Sequence, residues 1–324
     1  MGVATPPAPE VVLAPRSRSA ADGGIAPVVS VSGLRKRYGR LEAIRGIDFS
    51  VAPGEVFAFL GPNGAGKTTT VEILEGYRRR DGGECQVLGL DPAHPTLEWR
   101  SLIGLVLQAS RMHEELTVRE TMARYAGYYP HPRGVDETID LVGLSEKRHT
   151  RAGALSGGQL RRLDVGLALV GDPELLFLDE PTTGFDPAAR RQAWSVVAAL
   201  KPLGKTVFLT THYMDEAEAL ADRVAVIVAG RIVSVGVPST LAGRNQAAVT
   251  VRFREPAGMD AAGMVAADVR RSDGWIEFDT VDTARDLGAL MDWSRERHVE
   301  LDGLEVRRPS LEDVYLTLVG DERR

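Results

Sequence analysis

At 324 residues, with 44% hydrophobic and 26% charged side chains, the chain has the balance of an ordinary globular protein, long enough for two domains of which the larger buries a full core. A formal net charge of -6 excludes general nucleic-acid affinity, which needs a basic face, so no nucleic-acid partner is expected. Cys85 is the single cysteine, which rules out a disulfide framework and a thiolate metal site, and His94, His113, His131, His149, His212 and His298 lack ligand spacing. No window approaches the about 18 apolar residues of a membrane-spanning helix. The N-terminus lacks a secretory apolar core, and Pro6 stands where a myristoylation motif wants Ser or Thr. Any membrane role is therefore expected to run through a partner.

Residues 1–26 are rich in Pro and Ala and read as a disordered tail. Val29 to Tyr38 alternates as a strand, Ile44 to Val51 is a second, and Pro53-Gly54 turns into the apolar run Val56 to Leu60. That run leads into Gly61-Pro62-Asn63-Gly64-Ala65-Gly66-Lys67-Thr68, followed by Thr69 and a helical stretch to Glu75. Strand, glycine loop and helix are the context of a GxxxxGK[ST] phosphate loop. Its backbone N–H groups and helix N-terminus hold phosphate oxygens, a Lys at the place of Lys67 reaches the β- and γ-phosphates, and a Thr at the place of Thr68 ligates Mg²⁺. A nucleoside triphosphate and Mg²⁺ are thus the expected ligands. Tyr38, upstream of the loop, has the chemistry to stack on a base, although spacing alone favours a plain strand tyrosine.

Farther along come a strand at Cys85–Leu88, a helix around Leu97–Ile103 and a strand Leu105–Leu107 ending at Gln108. Residues of about 110–170 read as a helical subdomain, with Thr117 to Glu120 a capping box at one helix start. Leu155-Ser156-Gly157-Gly158-Gln159 opens a further helix, where Ser156 alone reads as an N-cap and equally fits a second anion site. Leu175 to Leu178 is an apolar strand ending in Asp179-Glu180, two carboxylates where ligands bind in α/β sheets. Asp179 would complete the Mg²⁺ shell with Thr68, and Glu180 would polarise the attacking water. The loop Pro181–Pro187 carries Asp186, a helix runs to Leu200, and the strand Lys205–Leu209 ends near His212, by itself an ordinary structural histidine. A hairpin (Val224–Val228, Ile232–Val235) and a helix Pro238–Gly243 close this part. Residues 243–324 read as a small α+β domain with strands at Val249–Phe253, around Val269, Trp275–Phe278 and Val299–Val306, and helices at Val281–Trp293 and Ser310–Leu318.

In this order the elements resemble the ATP-binding subunit of an ABC transporter. The match takes Gly61–Thr68 as the Walker A loop, Gln108 as the Q-loop, Leu155–Gln159 as the LSGGQ signature, Leu175–Glu180 as Walker B, Gly184–Pro187 as the D-loop and His212 as the switch histidine. Tyr38 falls where the family places its base-stacking aromatic. The resemblance covers roughly residues 28–242, with Phe185 in place of the usual D-loop Leu and Leu160 where a polar residue is common. It implies an α/β P-loop ABC ATPase over residues 27–242, with a RecA-like core and antiparallel β and α-helical subdomains. The C-terminal domain, ending Pro309-Ser310-Leu311-Glu312-Asp313-Val314-Tyr315, is similar to the tail of drug-export ATPases of the daunorubicin-resistance type, which pair with ABC-2 membrane subunits.

The resemblance further implies a homodimer in which each ATP lies between the loop of one copy and Ser156, Gly157, Gly158 and Gln159 of the other. Glu180 is then the base, His212 and Gln108 steady the γ-phosphate, water and Mg²⁺, and Asp186 couples the two sites. A membrane permease is expected to dock near residues 109–120, placing the protein on the cytoplasmic face of the membrane. The rival reading, an ABC-type ATPase working on ribosomes or DNA, is associated with two ATPase domains in one chain or a long coiled-coil insert, and neither is found here. A regulatory nucleotide-binding module with little turnover is opposed by the intact Glu180 and His212.

Overall fold

The computed structural model describes residues 26–106, 113–244, 247–256 and 268–321. The expected N-terminal tail, Gln108 and the stretch 109–112 therefore lie outside the described residues.

Two strands open the chain, β1 (Val29–Tyr38) and β2 (Leu41–Val51), and β3 (Val56–Leu60) carries five buried residues in a row. Such an unbroken apolar run belongs in a parallel sheet covered on both faces. Helix α1 (Lys67–Leu74) follows, then β4 (Gly82–Val87), α2 (Leu97–Ser101) and β5 (Ile103–Val106). The helical subdomain holds α3 (Val118–Ala126), α4 (Val135–Leu141) and α5 (Gly157–Leu169). The core resumes with β6 (Leu175–Asp179), α6 (Pro187–Leu200), β7 (Thr206–Thr211), α7 (Met214–Leu220), β8 (Arg223–Val228) and β9 (Arg231–Gly236). The C-terminal part comprises β10 (Val249–Arg254), β11 (Val269–Ser272), β12 (Trp275–Thr280), α8 (Thr283–Arg297), β13 (Glu305–Arg307) and α9 (Leu311–Asp321).

A six-stranded sheet in the order β5-β6-β7-β3-β8-β9 forms the centre, parallel except for β9, and a three-stranded antiparallel sheet β2-β1-β4 packs beside it. Between the two sheets the rings of Phe49, Phe57, Phe59, Phe177 and Phe208 meet at centroid separations of 5.5 to 5.9 Å. Pairwise contacts at that distance favour tilted or offset rings and lock the relative placement of the sheets. The other face of the central sheet is covered by α3 to α6 through Val118, Met122, Leu163, Leu176, Leu209 and their neighbours.

The C-terminal sheet, β11-β12-β10-β13, packs on α8 around Val251, Phe253, Phe278, Leu290 and Trp293. Helix α9 does not join that core. Leu311 and Tyr315 are buried with Leu60, Ala217, Val224, Val226 and Leu241, under the central sheet. Arg244 anchors the return, donating from Nε to the Pro309 carbonyl at 2.6 Å and from Nη2 to Glu218 at 2.8 Å.

Two local expectations differ from the structure in more than the placement of their ends. The helix expected over Pro238–Gly243 is only a short 3-10 turn at Leu241–Gly243, because Ala242 (φ 50°) and Gly243 (φ 79°) take left-handed backbone that stops a helix from propagating. The strand expected from Val299 shrinks to β13, since Gly303 (φ 65°) and a Leu304 N–H to Leu301 O bond of 3.3 Å fold the preceding residues into a turn. No described helix is long and apolar enough to cross a membrane.

Candidate nucleotide site

Register decides where the chemistry meets. In the parallel pairing of β3 with β7, Leu60 stands opposite Thr211; in that of β6 with β7, Asp179 stands opposite Thr210. The residues one step beyond these strand ends, Gly61, Glu180 and His212, therefore leave the sheet along one edge, the edge where open α/β sheets bind ligands.

Gly61 and Gly66 are required by close approach. A Cβ on Gly61 would lie 2.4 Å from the Ile227 carbonyl oxygen, and one on Gly66 would lie 2.8 Å from that of Ala43. Gly66 also has φ 108°, open to glycine alone in practice, and it caps α1 without a side chain. The loop thus turns tightly enough to aim backbone N–H groups at one place, with Asn63 and Gly64 exposed, Pro62 half-buried and Ala65 buried. Thr68 at the first turn is exposed and Thr69 half-buried.

Lys67, 5% exposed, folds back along the loop. Its Nζ donates to the Gly61 carbonyl at 2.8 Å and the Pro62 carbonyl at 3.3 Å, and lies 3.3 Å from Glu180 Oε1. The other carboxylate oxygen of Glu180 accepts from Thr183 Oγ1 at 3.1 Å and sits 3.4 Å from His212 Nδ1, a polar contact outside hydrogen-bond geometry. Burial works to raise the Glu180 carboxyl, but the Lys67 charge beside it prevails and holds it below the usual carboxylate range. Glu180 is therefore ionised at neutral pH, as a proton acceptor must be.

Asp179 accepts from the Thr210 hydroxyl, and Thr210 also receives the Glu180 N–H at 3.0 Å. No group of three or more His, Cys, Asp or Glu able to hold a metal occurs among the described residues. A magnesium ion takes one or two protein oxygens and draws its other ligands from phosphate and water. Of the residues expected to hold it, Thr68 and Asp179 carry oxygens of that kind, while Gln108 lies outside the described residues.

The signature turn makes no described hydrogen bond or ion pair to this cluster. Ser156 Oγ accepts from the Gln159 N–H at 3.3 Å while Gln159 Oε1 accepts from the Ser156 N–H at 3.0 Å, a reciprocal capping box on α5. Ser156 and Gly157 are exposed, and nothing lies within 4 Å of where a Gly157 Cβ would be. A Cβ on Gly158 would lie 3.7 Å from the Ala189 side chain. Asp186 caps α6, accepting from Ala188 N at 2.8 Å and Ala189 N at 2.9 Å. Tyr38 is 39% exposed at the end of β1, with the Arg78 guanidinium 5.1 Å and Lys36 Nζ 5.7 Å from its ring centroid. Its ring is thus an accessible face beside two cations.

Sequence reasoning passed over Thr210, Arg161, Glu216 and Glu75. Glu216 is fully buried on α7 and accepts from Thr182 Oγ1 at 2.8 Å and Trp194 Nε1 at 3.1 Å, tying the Asp186 loop to the helix after His212. Its position four residues past His212, on the inward face of a helix, was the available signal.

Glu75 is buried at the C-terminus of α1, where burial first, then Asp179 and Glu72, push its carboxyl up to about 8. An acid raised in the folded state binds its proton longer there than in the unfolded chain, so stability is lost as pH rises from about 4.5 to about 8. Glu75→Gln removes that loss. Its melting temperature is expected to exceed that of the parent by a margin that widens from about pH 5 to about pH 8; a constant margin in thermal scans would contradict it.

With the geometry in place, the resemblances to known proteins carry weight. Residues 44–183 match the ABC transporter family, and residues 249–310 match the C-terminal domain of ABC transporter domain-containing protein-like chains. The chain is 36% identical over 306 residues to a daunorubicin resistance ATP-binding protein of Streptomyces coeruleorubidus, spanning 91% of this chain and 97% of that one. It is 37% identical over 311 residues to Nod factor export ATP-binding protein I of Ralstonia nicotianae, spanning 93% and 96%. The ADP conformation of a crystallised ATP-binding cassette of an ABC transporter superposes with a TM-score of 0.58 at 25% identity, covering 65% of this chain and 91% of that one.

Proposed function

The chain belongs to the family of ABC transporter ATP-binding subunits, and from that premise we propose that two copies hydrolyse ATP head to tail and drive export of a drug or another hydrophobic compound through separate membrane subunits. The observation that carries this reading is the convergence of Lys67, Glu180 and His212 on one sheet edge, while Ser156 and Gly157 of the same chain stand exposed with no described hydrogen bond or ion pair to that cluster. A site so divided is completed by a second copy.

Lys67 and the backbone N–H groups of the loop from Asn63 to Thr69 bind the phosphates, and Tyr38 stacks on the base. Thr68, Asp179 and Gln108 hold the magnesium ion, which supplies charge neutralisation on the phosphate oxygens. Glu180 takes a proton from the attacking water, and His212 steadies the γ-phosphate. Ser156, Gly157, Gly158 and Gln159 close on the partner's nucleotide from the other side, with Asp186 at the seam between the two sites.

The membrane subunit, of ABC-2 type, docks at residues 109–120. A groove of about 490 Å³ lined by His113, Glu114, Glu115, Leu116 and Arg124 supports this docking place. The protein then sits on the cytoplasmic face of the membrane.

Ser156→Arg tests the shared site. The substitution sets a bulky cation where the turn would meet the partner's nucleotide, at a position whose side chain makes the cap as its one described bond. ATP binding by the single copy should persist, while the ATP-dependent doubling of mass in light scattering and phosphate release should both vanish. Wild-type turnover with Arg at this position would remove the head-to-tail reading.

A further inference from the structure

Arg161 lies on α5, two residues past the signature, and is 8% exposed. A guanidinium has five donors and no way to shed its charge, so its burial demands partners. Nε donates to the Pro181 carbonyl at 3.0 Å, Nη2 donates to the Asp179 carbonyl at 3.3 Å, and Nη1 lies 3.7 Å from the equally buried Asp164. The two carbonyls are those on either side of Glu180. Glu180 itself has φ 45°, a left-handed conformation that a non-glycine residue keeps only where its surroundings hold it. Thr210 holds the Glu180 N–H from one side, and Arg161 holds the flanking carbonyls from the other.

We propose that Arg161 is a positioning residue for Glu180: through one buried guanidinium it fixes the backbone turn that presents the carboxylate to Lys67 and His212, and it links that turn to the helix carrying Ser156. The proposal rests on the reading of Glu180 as the base. Its physical content is that α5 is a rigid element with the signature at its N-terminus and the clamp one turn on. Contact of Ser156 with the partner's nucleotide is then transmitted within the same chain to Glu180. An Asp164 partner alone would account for a buried Arg; two carbonyl bonds bracketing a strained residue would not be needed for that.

The test uses the full chain with ATP and magnesium, and compares Arg161→Gln, Arg161→Lys, Glu180→Gln and the double variant Arg161→Gln/Glu180→Gln. Arg161→Gln is expected to lower kcat by about a hundredfold, the usual consequence of moving a reacting group by about an ångström. ATP affinity by calorimetry should stay at the parent value, because the described hydrogen bonds of the residue go to the Asp179 and Pro181 carbonyls. Arg161→Lys, whose ammonium lacks the planar fork, should recover part of kcat. In single-turnover measurements the double variant should be no slower than Glu180→Gln, because a positioning residue has nothing left to position.

Parent-like kcat in Arg161→Gln, a loss that follows ATP affinity instead, or effects of Arg161→Gln and Glu180→Gln that multiply would each overturn the proposal. Should the Gln variant fail to fold, Arg161→Lys decides: reduced kcat at unchanged affinity upholds the proposal and parent-like kcat overturns it. Full turnover by Glu180→Gln would instead overturn the base reading, and the proposal with it.

Discussion

Glu180→Gln is expected to lower ATP hydrolysis by about a thousandfold, the middle of the range for losing a general base. The amide keeps the size and most hydrogen bonds of the carboxylate but cannot take a proton. Lys67 loses an opposed charge at 3.3 Å and keeps both carbonyl bonds, so the loop should hold its shape. ATP binding should survive, and with hydrolysis blocked the two-copy form should persist for as long as ATP is supplied. Phosphate release under multiple turnover checks the first claim and light scattering with ATP and magnesium checks the second. Turnover near that of the parent would strip Glu180 of its role.

Lys67→Ala should act earlier, on binding. The Lys67 ammonium is buried, oriented by two carbonyl oxygens and placed at the mouth of the loop, so its loss removes a charge-assisted contact without a water of equal strength to replace it. Such a contact is worth about 2–3 kcal/mol, or a rise in Kd of roughly thirty- to over a hundredfold. A second effect follows from the same ion pair. With Lys67 gone, burial acts on Glu180 unopposed by its main counter-charge, so the carboxyl moves upward from its depressed position. Residual hydrolysis by Lys67→Ala should therefore decline with falling pH sooner than that of the parent. Calorimetry of ATP binding and a pH profile of residual turnover together check both parts; unchanged affinity would contradict the phosphate-loop assignment.

Both variants act through one contact between residues far apart in the chain. Neither Gly61–Thr68 nor Asp179–Glu180 foretells by itself that Lys67 and Glu180 touch. What joins them is β7, which lies between β3 and β6 and lines up the three strand ends.

The features legible in the sequence are those fixed by a few consecutive residues. The phosphate loop is one, because Gly61 and Gly66 are demanded by backbone approach and handedness at a set spacing from Lys67. The capping box at Thr117 and the N-cap at Ser156 are others, since an N-cap and its third neighbour interact wherever the helix lies. The apolar runs of β3 and β6 declared themselves as buried strands in the same local way.

Tertiary structure alone decided the rest. Helix α9 has the same apolar pattern whether it covers the C-terminal sheet or, as it does, Leu60 and Val226 of the central one. The raised carboxyl of Glu75 and the two-carbonyl grip of Arg161 depend on which elements close over them. Periodicity records that a side chain is buried, not what it is buried against. Long-range packing chooses the neighbour, and for charged groups the neighbour sets the chemistry.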